Sequence, residues 1–283
     1  MRNFAQLAKP YMVWMSLFIV VPMLLILFYA VTESGNSVIA VRFTLDNFLR
    51  FFDPVFIKVL LKSLQIALIT TIICIIIGYP IAYIISNMTE RSQNLFILLV
   101  TLPMWINMLV RTYAWISILS DGGLINSLLE YLGLPPITFM YTDFAVILGM
   151  VYNFLPFMIL QIYTVLAKLD RALIQASYDL GANRYQTFRR VVFPLSIPGV
   201  ISGITLVFLP AVSTFVIPKF LGGGQYMLIG NLIENQFITV GQWNFGSAIS
   251  LIMAMIIMGS MVLTRKMDKD ASDVSSTDGG RSW

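Results

Sequence analysis

Long apolar runs alternate with short polar connections along this chain. Uncharged stretches cover residues 10–32, 63–89, 92–110, 144–167, 191–218 and 235–264. Each is near or above the roughly 20 residues that a helix needs to cross a hydrocarbon core about 30 Å thick. The pattern predicts an all-α membrane protein with six transmembrane helices over 11–31, 64–86, 95–119, 144–166, 195–216 and 246–264. Between the third and fourth, Leu124, Ile125, Leu128, Leu129 and Leu132 recur at helical spacing and end at Gly133 and Pro135-Pro136, which predicts a short amphipathic helix lying flat. Between the fourth and fifth, the polar segment 167–194 has its own period. Asp170 is placed to cap a helix carrying Leu173, Ala176, Ser177 and Leu180, and Gly181 falls where a left-handed C-terminal residue belongs. Asn183 followed by Gln186 then has the form of a capping box for a second helix with Tyr185, Phe188 and Val192. Two readings fit this helix-turn-helix: a docking surface for another protein, or an amphipathic loop on the lipid surface. Residues 267–283 are Ser-, Asp- and Gly-rich and predict a disordered tail.

Composition and charge narrow the class. With 58% hydrophobic and 11% charged residues, an ordinary soluble domain is excluded. The first run follows Arg2 and Lys9, as a secretory signal would, but its apolar core is too long and no small-x-small cleavage site follows, so it reads as an uncleaved anchor. Placing the N-terminus inside puts Arg2, Lys9, Arg91, Lys168, Arg171, Arg184, Arg189, Arg190, Arg265, Lys266, Lys269 and Arg281 on the inner side. Only Arg42, Arg50, Lys58, Lys62 and Lys219 remain outside. This asymmetry predicts cytoplasmic termini and a cytoplasmic 167–194 segment. The net charge of +4 thus reflects topology, and no basic-aromatic nucleic-acid motif accompanies it. Cys74 is the only cysteine, which excludes a disulfide framework or a thiol-metal cluster.

The chemistry available is sparse. No G-x-x-x-x-G-K-[ST] sequence occurs, and Gly222-Gly223-Gly224 lacks the lysine of a phosphate-binding loop. The chain has no histidine, and apart from Arg111 no ionisable residue lies well inside a predicted span. Ion-coupled carriers place carboxylates or histidines there, so the energy for any transport has to arrive from elsewhere. No catalytic, metal or cofactor constellation is present in the sequence. Arg111 has two readings, a residue lining or gating a path, or a structural arginine bonded to carbonyls, an outer-loop carboxylate or a second subunit. Prolines at 103, 156 and 210 either kink helices around a central path or follow the general abundance of proline in membrane helices.

One 20-residue stretch carries a more specific signal: Gln175-Ala176-Ser177-Tyr178-Asp179-Leu180-Gly181, nine residues, then Val191-Val192-Phe193-Pro194. It resembles the Glu-Ala-Ala signature by which ABC importer permeases grip their ATPase, with Gln175 in place of the glutamate, Ser177 in place of the second alanine and Phe193 in place of the leucine. Further stretches resemble the PotB-type permeases of spermidine/putrescine ABC importers. They include Phe43-Thr44-Leu45-Asp46-Asn47-Phe48, Leu102-Pro103-Met104-Trp105 with Arg111, Phe193-Pro194-Leu195-Ser196-Ile197-Pro198-Gly199 and Leu228-Ile229-Gly230-Asn231. The similarity spans residues 43–264. It implies the type I importer permease (MetI-like) fold, with ATPase docking at Gln175, Ala176, Ser177, Asp179, Gly181, Phe193 and Pro194. It also implies two ATPase copies, a second homologous permease of PotC type and an external polyamine-binding protein, with no cofactor on this chain. For a polyamine, the outer carboxylates Asp121, Glu130, Asp143 and Glu234 are candidate attractors, and Trp105, Tyr113 and Tyr152 are candidate cation-binding rings. Each also has a plain alternative, a solvated loop charge or an ordinary packing ring. A permease for another small solute and an ion-coupled carrier or channel remain as competing functions.

Overall fold

A computed structural model of the chain describes residues 10–33, 42–224 and 226–277, with side chains as far as Val262. Arg2, Lys9 and Arg281, used in the orientation argument, lie outside the described residues, as do positions 278–283 of the expected tail. Among the described residues, five helices are long and apolar enough to cross a membrane, or six if one bent pair counts as a single span.

The first span is α1 (Pro10–Ala30). A short helix α2 (Asp46–Phe51) follows, lying in the outer aromatic stretch. The second span, α3 (Pro54–Ser86), begins ten residues before the expected 64. The reason is local: Asp53 accepts a bond from the Val55 amide and Pro54 occupies the first turn, where its missing N–H costs nothing.

The third span departs from expectation. Residues 95–119 do not form one helix. They divide into α4 (Glu90–Trp105) and α5 (Met108–Leu119), and the chain bends by 92° across the break. Pro103 weakens the end of α4, Ile106 is extended with ψ 137°, and the Asn107 side chain accepts from the Leu109 amide to start a new helix. Of the three prolines singled out, only Pro103 coincides with a break. Pro156 and Pro210 sit inside helices that continue through them. Next comes α6 (Leu124–Tyr131), the expected short helix, followed by Gly133 at φ 74°. Asn126 braces it, bonding Ser120 and Ile137 backbone groups through both ends of its amide.

The fourth span, α7 (Asp143–Leu166), starts at Thr142, whose hydroxyl accepts from the Ala145 amide. The hairpin helix α8 (Arg171–Asp179) leads into α9, and here the second correction falls. The expected second hairpin helix and the expected span 195–216 are one uninterrupted helix, Arg184–Ser213. Pro194 does not end it. A π-helical turn at Phe188–Val192 lets the Phe193 amide bond the Phe188 carbonyl and absorbs the missing proline donor. Extended backbone at Thr214, ψ 141°, ends the helix. Two short outer helices, α10 (Val216–Leu221) and α11 (Ile229–Glu234), precede the sixth span α12 (Trp243–Thr277). The helix continues past residue 266, where composition predicts a disordered tail.

The core is built around α7. Its most apolar window is 61% buried within the chain, against 0% for α1. It packs between α3 and α9, while α1 lies against α12. Close approach is possible because small residues face it. A Cβ at Gly199 would come within 2.9 Å of the Gln161 carbonyl and of Val165, and one at Gly203 within 2.5 Å of Met158 Sδ. Glycines four apart on one helix face are a recurrent solution for helices that must touch in lipid, where backbone proximity and dispersion replace hydrophobic driving force.

Candidate functional site

The polar hairpin at 170–194 is assembled almost entirely from local bonds. Asp170 Oδ1 accepts from the Ala172 amide, 2.9 Å, and starts α8. At its far end Gly181 has φ 82°. The Gly181 amide donates to the Tyr178 carbonyl at 2.8 Å and the Ala182 amide to the Ser177 carbonyl at 3.0 Å, the paired closure of a Schellman turn. Asn183 and Gln186 then exchange side-chain and backbone bonds, each 2.9 Å, completing the capping box that begins α9. The two helices are joined across the turn by their hydroxyls. Ser177 Oγ donates to the Ile174 carbonyl at 2.7 Å, so the 2.8 Å contact between Ser177 and Thr187 is a bond donated by Thr187.

What this rigid turn presents is unpartnered. Gln175, Ala176, Asp179 and Gly181 are exposed and Ser177 is half-buried. Leu180, at the tip, is 89% exposed, and Tyr185 beside it is 68% exposed. Together they place two large side chains in solvent on a turn that is braced by its own hydrogen bonds. Behind it lies a cleft of about 410 Å³ lined by Ser177, Leu180, Gly181, Gln186, Thr187 and Arg190. Thr187 and Arg190 were not among the sequence candidates; the serine at position 177 was their one hint, since its hydroxyl needs a partner. Phe193 and Pro194 sit apart from this tip, in the π-helical region, where the Phe193 ring lies 5.8 Å from Tyr79 and 6.3 Å from Phe188.

The outer candidates do not gather at one point. Asp143 and Glu234 are already paired, with Lys62 and Lys219 respectively, each at 2.5 Å. Asp121 and Glu130 are exposed near the two ends of α6. Trp105, at the α4–α5 break, is 76% exposed. The Tyr113 ring lies tilted against Phe220 at 5.2 Å, and Tyr152 meets Trp115 edge-on at 5.5 Å. Lys219 and Glu234 border a small cleft of about 160 Å³ with Tyr226, Asn231, Asn235 and Thr239. There Asn231 donates to the Phe215 carbonyl, and its own oxygen is buried without a partner among the described residues. Burial, with the neighbouring Asp143 carboxylate adding to it, holds the Tyr226 phenol above its ordinary range. Arg111 resolves neither of its two readings among the described residues: its Nε and Nη1 are buried and make no hydrogen bond to them.

The fold is thus a bundle of membrane-length helices in which a glycine-turned polar hairpin leads directly into one of them. Residues 75–271 match the family of binding-protein-dependent transport system inner membrane components, and the chain belongs to that family. It is accordingly a multi-pass inner membrane protein. Among its relatives, the spermidine/putrescine transport system permease protein PotB of Salmonella typhimurium is 40% identical over 270 residues, covering 93% of this chain and 94% of that protein. PotB of Escherichia coli K12 is 41% identical over 253 residues, covering 88% and 92%. The fold also matches a chain in the crystal structure of a bacterial ABC transporter involved in import of the polysaccharide alginate, with TM-score 0.80 at 16% identity over 95% of this chain and 96% of that one.

Proposed function

We propose that this chain is one permease subunit of an ATP-driven ABC importer and forms half of the translocation path for spermidine and putrescine. The observation that carries the substrate is the 40% identity to PotB across nearly the whole length of both proteins. The hairpin supports the energy source. In this reading each of two ABC ATPase copies docks on one permease, here through Gln175, Ala176, Ser177, Asp179 and Gly181, with Leu180 as the inserted anchor and Phe193 and Pro194 behind it. Gln175 stands where the signature has a glutamate, so docking here rests on shape and apolar burial rather than on an ion pair at that position. The hairpin and both termini are cytoplasmic, as the basic-residue asymmetry supports.

A second homologous permease of PotC type completes the cavity. Non-helical backbone at membrane depth is tolerated only against protein or a water-filled path, and the break at Ile106 is such backbone. The unbonded Arg111 nitrogens support the same placement. An external binding protein delivers the polyamine to the outer face. Asp121 and Glu130 attract it there, and ammonium groups passing Asp143 or Glu234 displace Lys62 or Lys219. Trp105, Tyr113 and Tyr152 offer ring faces to the cation. ATPase closure moves the hairpins, and the cavity alternates between inward and outward access.

Uptake of labelled spermidine and putrescine in a strain lacking this chain tests the reading. Restoration of polyamine uptake by the plasmid-borne chain is expected; normal uptake without it, or restoration of another solute alone, contradicts it.

A further inference from the structure

Where the hairpin's second helix becomes a membrane helix, α9 passes through the π-helical turn Phe188–Val192. This turn is held from one side by α3. The Tyr83 ring lies 5.3 Å from Phe188, and the Tyr79 ring lies 5.9 Å from Phe188 and 5.8 Å from Phe193, so two tyrosines grip the aromatic side chains that bracket the turn. Below the rings is a bond relay. Ser196 Oγ donates to the Phe193 carbonyl at 2.8 Å, and its proton is therefore spent. The 2.7 Å contact between Tyr79 and Ser196 is then a bond donated by the tyrosine. Ser196 is fully buried and Tyr79 nearly so, so no water competes for these bonds.

These contacts have a mechanical meaning. A π-turn is the part of a helix whose hydrogen-bond register is easiest to change, since it can revert to α-helical pairing by shifting one carbonyl. Along α9, this turn lies between the hairpin and the rest of the membrane helix. Without an anchor, bending would be absorbed at the turn. The Phe193 carbonyl is tied through Ser196 to Tyr79, which fixes the turn to α3 at this point.

We propose that Tyr79 and Ser196 are positioning residues, a fulcrum that converts displacement of the hairpin into rotation of α9. This rests on the docking reading of the hairpin. The test reconstitutes the complete transporter with Tyr79→Phe, Ser196→Ala, their double variant and Ser196→Thr, and measures ATPase recovery on purification, ATP hydrolysis and polyamine uptake. The expected result is full ATPase recovery with uptake per ATP hydrolysed lowered roughly two- to tenfold, the equilibrium equivalent of one buried hydrogen bond. The double variant should fall no further than either single one, and Ser196→Thr should retain coupling. Unchanged uptake per ATP in Tyr79→Phe and Ser196→Ala, or losses that multiply in the double variant, overturns the fulcrum alone. Loss of ATPase from the variants overturns it too, because the hydroxyls would then shape the docking surface. A wild-type chain that recovers no ATPase overturns the docking reading and the fulcrum with it.

Discussion

The hairpin turn at Gly181 can be perturbed with unusually little ambiguity. Its φ of 82° lies in the left-handed region, and a Cβ built there meets nothing within 4 Å. Crowding therefore contributes nothing, and any cost of a side chain is conformational. For an L-residue that cost is about 1–2 kcal/mol, larger for a β-branched one and small for asparagine, which visits this region readily. If docking requires the closed turn, one or two kcal/mol weakens ATPase affinity roughly 5- to 30-fold. The series Gly181→Asn, Gly181→Ala and Gly181→Val should thus bind ATPase in falling order, with asparagine near wild type. Titration of purified ATPase onto the chain in detergent or nanodiscs measures this. Wild-type affinity for the valine variant, or equal loss for asparagine and valine, would refute the argument, since neither outcome follows from a φ penalty.

Three further outcomes follow from the packing and the outer charges. Gly199→Ala should destabilise by about 1–3 kcal/mol, because its Cβ meets the fixed Gln161 carbonyl at 2.9 Å. Gly203→Ala should cost less, since the flexible Met158 thioether can give way, and thermal unfolding in detergent separates the two. Lys62→Met should change the unfolding midpoint little, because Lys62 and Asp143 are both over a third exposed and such pairs contribute at most about 1 kcal/mol. Asp121→Asn combined with Glu130→Gln should raise the KM for polyamine uptake and weaken its dependence on ionic strength. An unchanged KM after all four outer carboxylates are neutralised would remove them from the path.

Local signals were legible in the sequence and tertiary ones were not. Asp170, Gly181, Asn183 and Gln186 act within a few residues of themselves, so residue type and spacing were enough to place both caps and the turn. The third span was read as one run because hydropathy sums over a window and cannot register a single extended residue. Residues on both sides of Ile106 are apolar, while the break depends on Pro103 and on the Asn107 cap together. The second hairpin helix and the fifth span were read as separate, yet a π-turn before Pro194 takes up the missing donor and the helix runs on. The pairing of Asp143 with Lys62, 81 residues away, leaves no trace in local sequence, which is why both paired carboxylates first appeared as free attractors. Gly199 and Gly203 did stand four apart, but only the contact with α7 shows what the spacing is for.

The central claim is that this chain is a path without a motor, driven through its hairpin. The most direct measurement compares proteoliposomes holding the purified chain alone with others holding it together with its second permease and ATPase, supplied with binding protein and labelled spermidine. The account predicts accumulation only in the complete assembly and only with ATP, with the lone chain inactive under an imposed proton or sodium gradient. Gradient-driven accumulation by the lone chain would contradict it and identify a secondary carrier.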